Sequence, residues 1–341
     1  MEEITSGEGL SGLRRTWNEV EAAGAPINPF LSWDWQYSWW EAFGQDLEVR
    51  YLVVSEPGLV LGIVPLAGKA RSSGTLGFGG GADLTDHLGI LARPGRESEV
   101  AGAALQHLFR AESSSRPKAL DLHYLPEGSP SLQALLGAAR SLELAHDLTQ
   151  EEVSPRVALG ETFDDYLNDR LNKKDRHELR RKLRRLDTEQ PGWRLVSQRE
   201  LGLERALDEF FPVLRASGPH KVEFLTPRVE AFMRDVSRRM EEREWLRLQF
   251  LEIGGNLSAA TLGFTVSGTW HLYNSGYQPD LAPLSPGLLC VAEGIRVALQ
   301  EGCHTADFLR GSEAYKYHLG GVDHPLLRLQ LRASRAGEGP R

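Results

Sequence analysis

Asp307-Phe308-Leu309-Arg310-Gly311, followed at once by Glu313, Tyr315 and Lys316, closes a strand-like run with two acids, two bases and a phenol inside ten positions. The segment before it is equally structured. Ser285 is a good N-cap, Pro286 suits a first helical position, and Gly302 suits a helix stop, so a helix is expected over residues 286–301. Leu288, Ala292, Ile295 and Leu299 form its apolar stripe. Upstream, a strand expected over 270–275 runs into Tyr273-Asn274-Ser275-Gly276-Tyr277. Strand, well-capped helix and strand in succession, with further strands at 245–252 and 259–266, define a mixed α/β unit of the α+β class.

Working outward, the N-terminal half repeats this order. It has a helix over 13–23, an aromatic cluster from Phe30 to Phe43, and strands over 49–55 and 59–66 split by Glu56-Pro57-Gly58. Arg93-Pro94-Gly95 then leads to a helix over 97–110, a strand over 119–124 bearing Asp121, and a helix over 132–139. Between the halves, leucines at 167, 171, 179, 183 and 186 mark one amphipathic helix, or two joined near Asn172. A helical block over 201–242 is interrupted by Gly218-Pro219 and Pro227, and a last strand is expected near 326–331. Two domains follow, 1–158 and 159–341.

The chain has 341 residues, of which 41% are hydrophobic and 25% charged, with a formal net charge of -8. That charge argues against a general nucleic-acid coat. The acidic start lacks the basic and apolar segments of a signal peptide, and no apolar run reaches the ~20 residues of a membrane helix. Cys290 and Cys303 are placed about 20 Å apart by helical rise, too far for a disulfide. A reduced, cytoplasmic protein is expected.

Gly287, just inside the first helical turn, leaves backbone N–H groups open to an anion, which the helix dipole favours; a helix that binds nothing is the alternative. Lys173–Arg185 carries eight cations, either a solvated face or a seat for a polyanion such as a charged tRNA. His87 is a base, an acceptor-binding group, or a structural histidine. Asp307 is a base, or caps a turn or pairs with Arg310. Tyr273 and Tyr277 are reactive phenols or half-buried packing aromatics. No Cys/His spacing indicates a metal, and the aromatic cluster reads as packing.

The motifs around Tyr273–Tyr277, Ser285–Gly287 and Asp307–Lys316 resemble those of GNAT-like acyltransferases of the CelD-like branch, associated with cellulose and exopolysaccharide synthesis and related to the Fem aminoacyl transferases. The resemblance implies two tandem GNAT-like domains, each a mostly antiparallel mixed sheet flanked by helices. It implies no permanently bound cofactor and an acyl-CoA co-substrate seated at the second domain's splayed strands. It places Ser285, Gly287, Leu288, Arg310 and Lys316 at the donor, and His87, Asn274, Tyr277, Arg176 and Arg180 at the substrate. Asp307 or Glu313 would be the base and Tyr315 or Tyr273 the acid, with Arg310 and Lys316 exposed. The implied reaction is acyl transfer to an amine of a small metabolite or amino sugar; the alternatives are a Fem-like, tRNA-dependent transferase and a non-catalytic binding protein. The phosphate loop departs from the usual Gln/Arg-x-x-Gly-x-Gly/Ala form, offering Leu284-Ser285-Pro286-Gly287-Leu288-Leu289.

Overall fold

The computed structural model describes residues 1–24, 27–69, 74–110 and 116–334. The chain divides into two compact units, one of residues 1–152 with 324–341 and one of residues 153–323. The first contains β1 (Glu2–Ile4), α1 (Gly7–Gly12), α2 (Arg14–Ala22), α3 (Trp33–Phe43), β2 (Leu47–Glu56), β3 (Leu59–Lys69), β4 (Thr75–Phe78), β5 (Leu91–Ala92), α4 (Glu97–Arg110), β6 (Ala119–Pro126), α5 (Pro130–Ser141) and β7 (Ala145–Val153). The second contains β8 (Arg156–Ala158), α6 (Phe163–Arg170), α7 (Lys173–Glu189), β9 (Arg194–Ser197), α8 (Gln198–Leu201), α9 (Leu203–Ala216), α10 (Pro219–Phe224), α11 (Pro227–Glu242), β10 (Leu246–Ile253), β11 (Asn256–Val266), β12 (Thr269–Tyr277), α12 (Pro286–Gln300), β13 (Thr305–Asp307) and α13 (Ala314–His318). The last strand, β14 (Pro325–Arg332), returns to the first unit.

In the first unit the strands run β1-β2-β3-β4-β6-β14-β7, with β5 against β3. β4 and β6 pair in parallel. Leu105, Leu108, Leu135 and Ala139 from α4 and α5 share a core with Leu66, Leu120, Leu122 and Leu329 of the sheet. The aromatic cluster is packing, as its density suggested: Trp33 stacks on Tyr37 at 4.5 Å and Trp35 meets Phe30 edge-on at 4.7 Å. The buried indoles are satisfied, Trp17 by the Leu31 carbonyl, Trp33 by the Leu10 carbonyl and Trp35 by Thr85 Oγ1. The glycine-rich stretch is a bend around those rings, since a Cβ on Gly81 would lie 2.5 Å from Trp39 Nε1.

In the second unit the order is β8-β13-β12-β11-β10-β9, antiparallel throughout except for β12 with β13. α12 covers one face through Leu289, Ala292 and Ile295, packed with Trp270 and Leu272. The leucine repeat resolves into two helices, with Asn172 accepting from the Asp175 N–H to cap α7. The helical block breaks at Gly218-Pro219 and Pro227, where the sequence placed the interruptions.

The expected domain limits shift at both ends. β8 pairs with β13, and the second unit begins at Val153 rather than at 159. β14, read with the second half, pairs instead with β6 over Leu326–Arg332. Residues 335–341 lie outside the described set. Each unit is nevertheless a mixed sheet flanked by helices, the fold class expected.

Candidate active site

The second unit's sheet opens between its two parallel strands. β12 pairs with β13 only through Thr269, Trp270 and His271, opposite Thr305, Ala306 and Asp307. After Asp307 the chain turns away: the Phe308 N–H donates to the Pro155 carbonyl and the Gly311 N–H to the Val153 carbonyl, each at 3.0 Å. β12 continues to Tyr277, so residues 272–277 have no β13 partner. A register shift opposite Leu262 and Gly263 makes Tyr273 a β-bulge. The bulge resets the alternation. Trp270, Leu272 and Tyr277 pack with the α12 core, whereas a Cβ on Gly276 would meet Leu214 and Ser217 at the end of α9.

Asp307 pins the turn. It is 1% exposed; Oδ1 accepts from Ser154 Oγ at 2.7 Å and from the Leu309 N–H at 2.9 Å, and Oδ2 lies 2.7 Å from Arg156 Nε. Asp307 thus caps the turn, one of the roles the sequence allowed, and pairs with Arg156. A carboxylate so held is a strut rather than the base expected. His271, which the sequence reading passed over, stands 3.9 Å from the same carboxylate. Burial lowers its pKa to about 4, against the pull of Asp307 and with help from Arg156, so its imidazole is neutral.

Lys316 corrects a second expectation. It is not exposed: at 2% exposure it donates to the carbonyls of Leu309, Arg310 and Gly311 at 3.0, 2.7 and 3.1 Å, and lies 2.9 Å from Glu313. Leu309 sits at φ 57° and Gly311 at φ 108°, which turns their carbonyls inward. Arg310, expected to be exposed, is half-buried and gives its carbonyl to this ring. Lys316 therefore shapes the loop and holds Glu313. Burial raises the Glu313 pKa, but the hydrogen bond and charge of Lys316, a backbone hydrogen bond and the charge of Lys221 outweigh it, leaving the carboxyl below its ordinary range.

Tyr315 faces the open stretch of β12. Its hydroxyl bonds with Ser275, and burial, reinforced by the Glu313 charge, raises its pKa beyond the usual phenol value. It is a protonated phenol at neutral pH. Tyr273, the other expected acid, lies at the bulge with its ring 5.9 Å from Phe264. Asn274, 9% exposed, accepts from Lys221 Nζ at 2.6 Å. Lys221 stands on α10, which the sequence reading treated only as a break.

The other wall of the opening is the start of α12. Ser285 adopts the left-handed conformation at φ 56° and no side chain caps the first turn. Its hydroxyl is hydrogen-bonded by Lys182 Nζ instead of serving as the expected cap. A Cβ on Gly287 would lie 3.0 Å from the Tyr277 ring, so the glycine lets the helix start close on β12. Leu288 is half-buried against the core. Arg185 Nη1 donates to the Pro283 carbonyl at 3.0 Å, placing a second α7 cation beside the loop.

Arg176 and Arg180, the α7 cations expected at the substrate, turn elsewhere: Arg176 donates to the Asn168 carbonyl and Arg180 to Asn168 Oδ1, tying α7 to α6. The signal for Lys182 was present in the sequence, because it stands three residues after Leu179 and four before Leu186, within the apolar seam. His87 belongs to the first unit, buried with its ring 6.0 Å edge-on from Phe30.

Comparison with known proteins agrees with this architecture. Residues 173–317 match the acetyltransferase (GNAT) domain family. None of the curated proteins matches the chain in sequence. The fold is similar to that of FemX at 12% identity, covering 96% of this chain and 97% of that one, with a TM-score of 0.66. It is similar to the C-terminal domain of a putative lysylphosphatidylglycerol synthetase from Agrobacterium fabrum at 9% identity, 94% and 92% coverage and a TM-score of 0.59. It also resembles L-PGS from Bacillus licheniformis at 12% identity, 93% and 92% coverage and a TM-score of 0.55. At these identities the structural likeness speaks for fold alone, and it is the GNAT match over the segment holding β12, α12, β13 and α13 that supports an acyltransferase.

Proposed function

We propose that the chain is an N-acyltransferase that moves an acyl group from acyl-CoA to a primary amine. The observation that carries this reading is the open edge of β12 beside the uncapped start of α12, with Lys182 at Ser285. The helix start and the ammonium offer a seat for the donor's phosphates, and the stretch of β12 beyond the reach of β13 offers hydrogen bonds to an extended acyl arm. The amine nitrogen attacks the thioester carbon to give a tetrahedral intermediate, the C–S bond breaks, the thiolate takes a proton from the Tyr315 hydroxyl, and the proton shed by the new amide nitrogen returns through water to the Tyr315 oxygen. Glu313, ionised and 59% exposed at its side chain, holds the incoming ammonium before its proton passes to water.

An aminoacyl-tRNA donor is the second reading, favoured by the exposed stripe Lys173, Lys174, His177, Arg181 and Arg184 on α7. An amino-sugar acceptor would fit polysaccharide assembly. The first test is a thermal titration of the full chain with acetyl-CoA, longer acyl-CoAs and free nucleotides. Binding raises stability by RT ln(1 + [L]/Kd), so an acyl-dependent rise at millimolar ligand is expected. No rise with any acyl-CoA, together with salt-sensitive binding of charged tRNA, would replace the first reading by the second.

A further inference from the structure

α10 covers no core. None of its six residues is buried, and Gly218 at φ 156° followed by Pro219 sets it off from α9. Yet one of its side chains crosses to the sheet, with Lys221 Nζ donating to Asn274 Oδ1 at 2.6 Å. The neighbouring Ser217 hydroxyl accepts from the Tyr277 N–H at 2.8 Å, which ties the same segment to the open stretch of β12. A helix that buries none of its own residues, anchored only at its C-cap Leu225, yet places an ammonium at a strand opening has a reason other than packing.

The charges gathered there are unequal. Lys221 and Lys316 both act on the Glu313 carboxylate. Lys316 is ringed by three carbonyls, and Lys221, half-buried, donates across to Asn274. The Glu313 carboxylate and the Lys221 ammonium together match a ligand that carries an ammonium and an anion. The seat at Lys182 and α12 is a separate position, beside Tyr277. Asn274 and Tyr277 are three residues apart on an extended strand, about 10 Å at 3.3 Å per residue.

We propose that Lys221, held at Asn274, is a second anion-binding position at the β12 opening, and that it selects acceptors whose amine is accompanied by a carboxylate or phosphate. The proposal rests on the acyl-transfer reading of the opening. It narrows the acceptor from any primary amine to amino acids, amino-sugar phosphates and similar zwitterions, with Glu313 taking the ammonium and Lys221 the anion. Lys221 is then a specificity-determining residue that takes no part in bond making.

The test is a calorimetric titration of the full chain with inorganic phosphate at moderate salt, comparing wild type, Lys221→Met, Lys221→Arg and Lys182→Met. Lys221→Met is expected to lose one phosphate equivalent, or to weaken it more than tenfold, and Lys221→Arg to keep it. Lys221→Met leaves Asn274 without its donor, so its melting temperature should fall by no more than roughly a few degrees and stay above the titration temperature, which separates lost binding from lost folding. Acetyl-CoA should displace only the equivalent that Lys182→Met removes. Unchanged stoichiometry and affinity in Lys221→Met overturns the proposal, as does displacement of the Lys221-dependent equivalent by acetyl-CoA. If acetyl-CoA displaces nothing while that equivalent persists, the donor reading fails and the anion position stands.

Discussion

The Lys316 ammonium is ringed by the carbonyls of Leu309, Arg310 and Gly311 and by the Glu313 carboxylate, so replacing it with Met strands four acceptors around an apolar chain. We expect Lys316→Met to cost about 3 kcal/mol, since removing one partner leaves buried acceptors unsatisfied. Urea denaturation checks this, and an unchanged midpoint would contradict the structural role. The functional groups beside it behave differently. Tyr315 stays protonated, Glu313 stays ionised and His271 stays neutral between pH 6 and 9. The catalytic rate should therefore rise across that range with the deprotonation of the acceptor amine alone. Glu313→Gln should lower kcat/KM without moving the profile, and an inflection present in wild type and absent from Glu313→Gln would restore Glu313 as the base. Tyr315→Phe should lower kcat roughly ten- to a hundredfold with little change in KM, as removal of a general acid does. These charges were misjudged from sequence for a physical reason. Cations beside a glycine in a loop read as exposed, and nothing in the residue order reveals that positive φ at Leu309 and Gly311 turns the carbonyls toward Lys316.

Among the elements, α12 shows where sequence suffices. Its stripe, its proline at the start and its stop at Gly302 are local signals, and the helix ends within one residue of expectation. The breaks around α10 are equally local, because proline and glycine act on their own backbone. β7 was not legible, since Ala145–Val153 is polar and exposed on both faces through its middle and so lacks alternation. The bulge at Tyr273 was hidden too, because it arises from pairing with β11. At the junction of α7 and α12, Lys182→Met should weaken acyl-CoA binding by about tenfold, the loss of one charge-assisted contact; calorimetry reads it, and equal affinity would move the donor elsewhere. In the first unit, β6, β7 and β14 carry a separate charge cluster. The Glu151 hydrogen bond, with both carboxylates, raises the His123 pKa, and Arg328 hydrogen bonding lowers that of Asp121. The raised histidine contributes stability that is full below its unfolded pKa and lost as pH rises through the folded one. The lowered aspartate contributes stability present above its unfolded pKa and lost as pH falls through the folded one. Glu151→Gln should flatten the loss of stability on the alkaline side while keeping the loss in acid, measured as melting temperature against pH.

At the scale of the whole molecule, the path of β14 decides how the two units depend on one another in sequence. The chain leaves the first unit at Glu152, builds the second, and returns at His324 to fill the place between β6 and β7. The apolar alternation of residues 326–331 announced a strand with one buried face, but alternation names a face and not a partner, which is why the return was not foreseen. Leu326, Leu329 and Leu331 are fully buried in the first unit. Each contributes about 2 kcal/mol by burial, so the three together approach the 5–15 kcal/mol that holds an ordinary domain folded. Ending the chain after Asp323 should therefore unfold or greatly loosen the first unit, because β6 and β7 both lose the strand that lies between them. The second unit keeps all six of its strands in this truncation. Hydrogen exchange should show lost protection across β6, β7 and the helices α4 and α5, with protection retained in β10, β11 and β12. Uniform loss across both units would show that they fold as one cooperative body, and uniform retention would show that β14 contributes little to the sheet it completes.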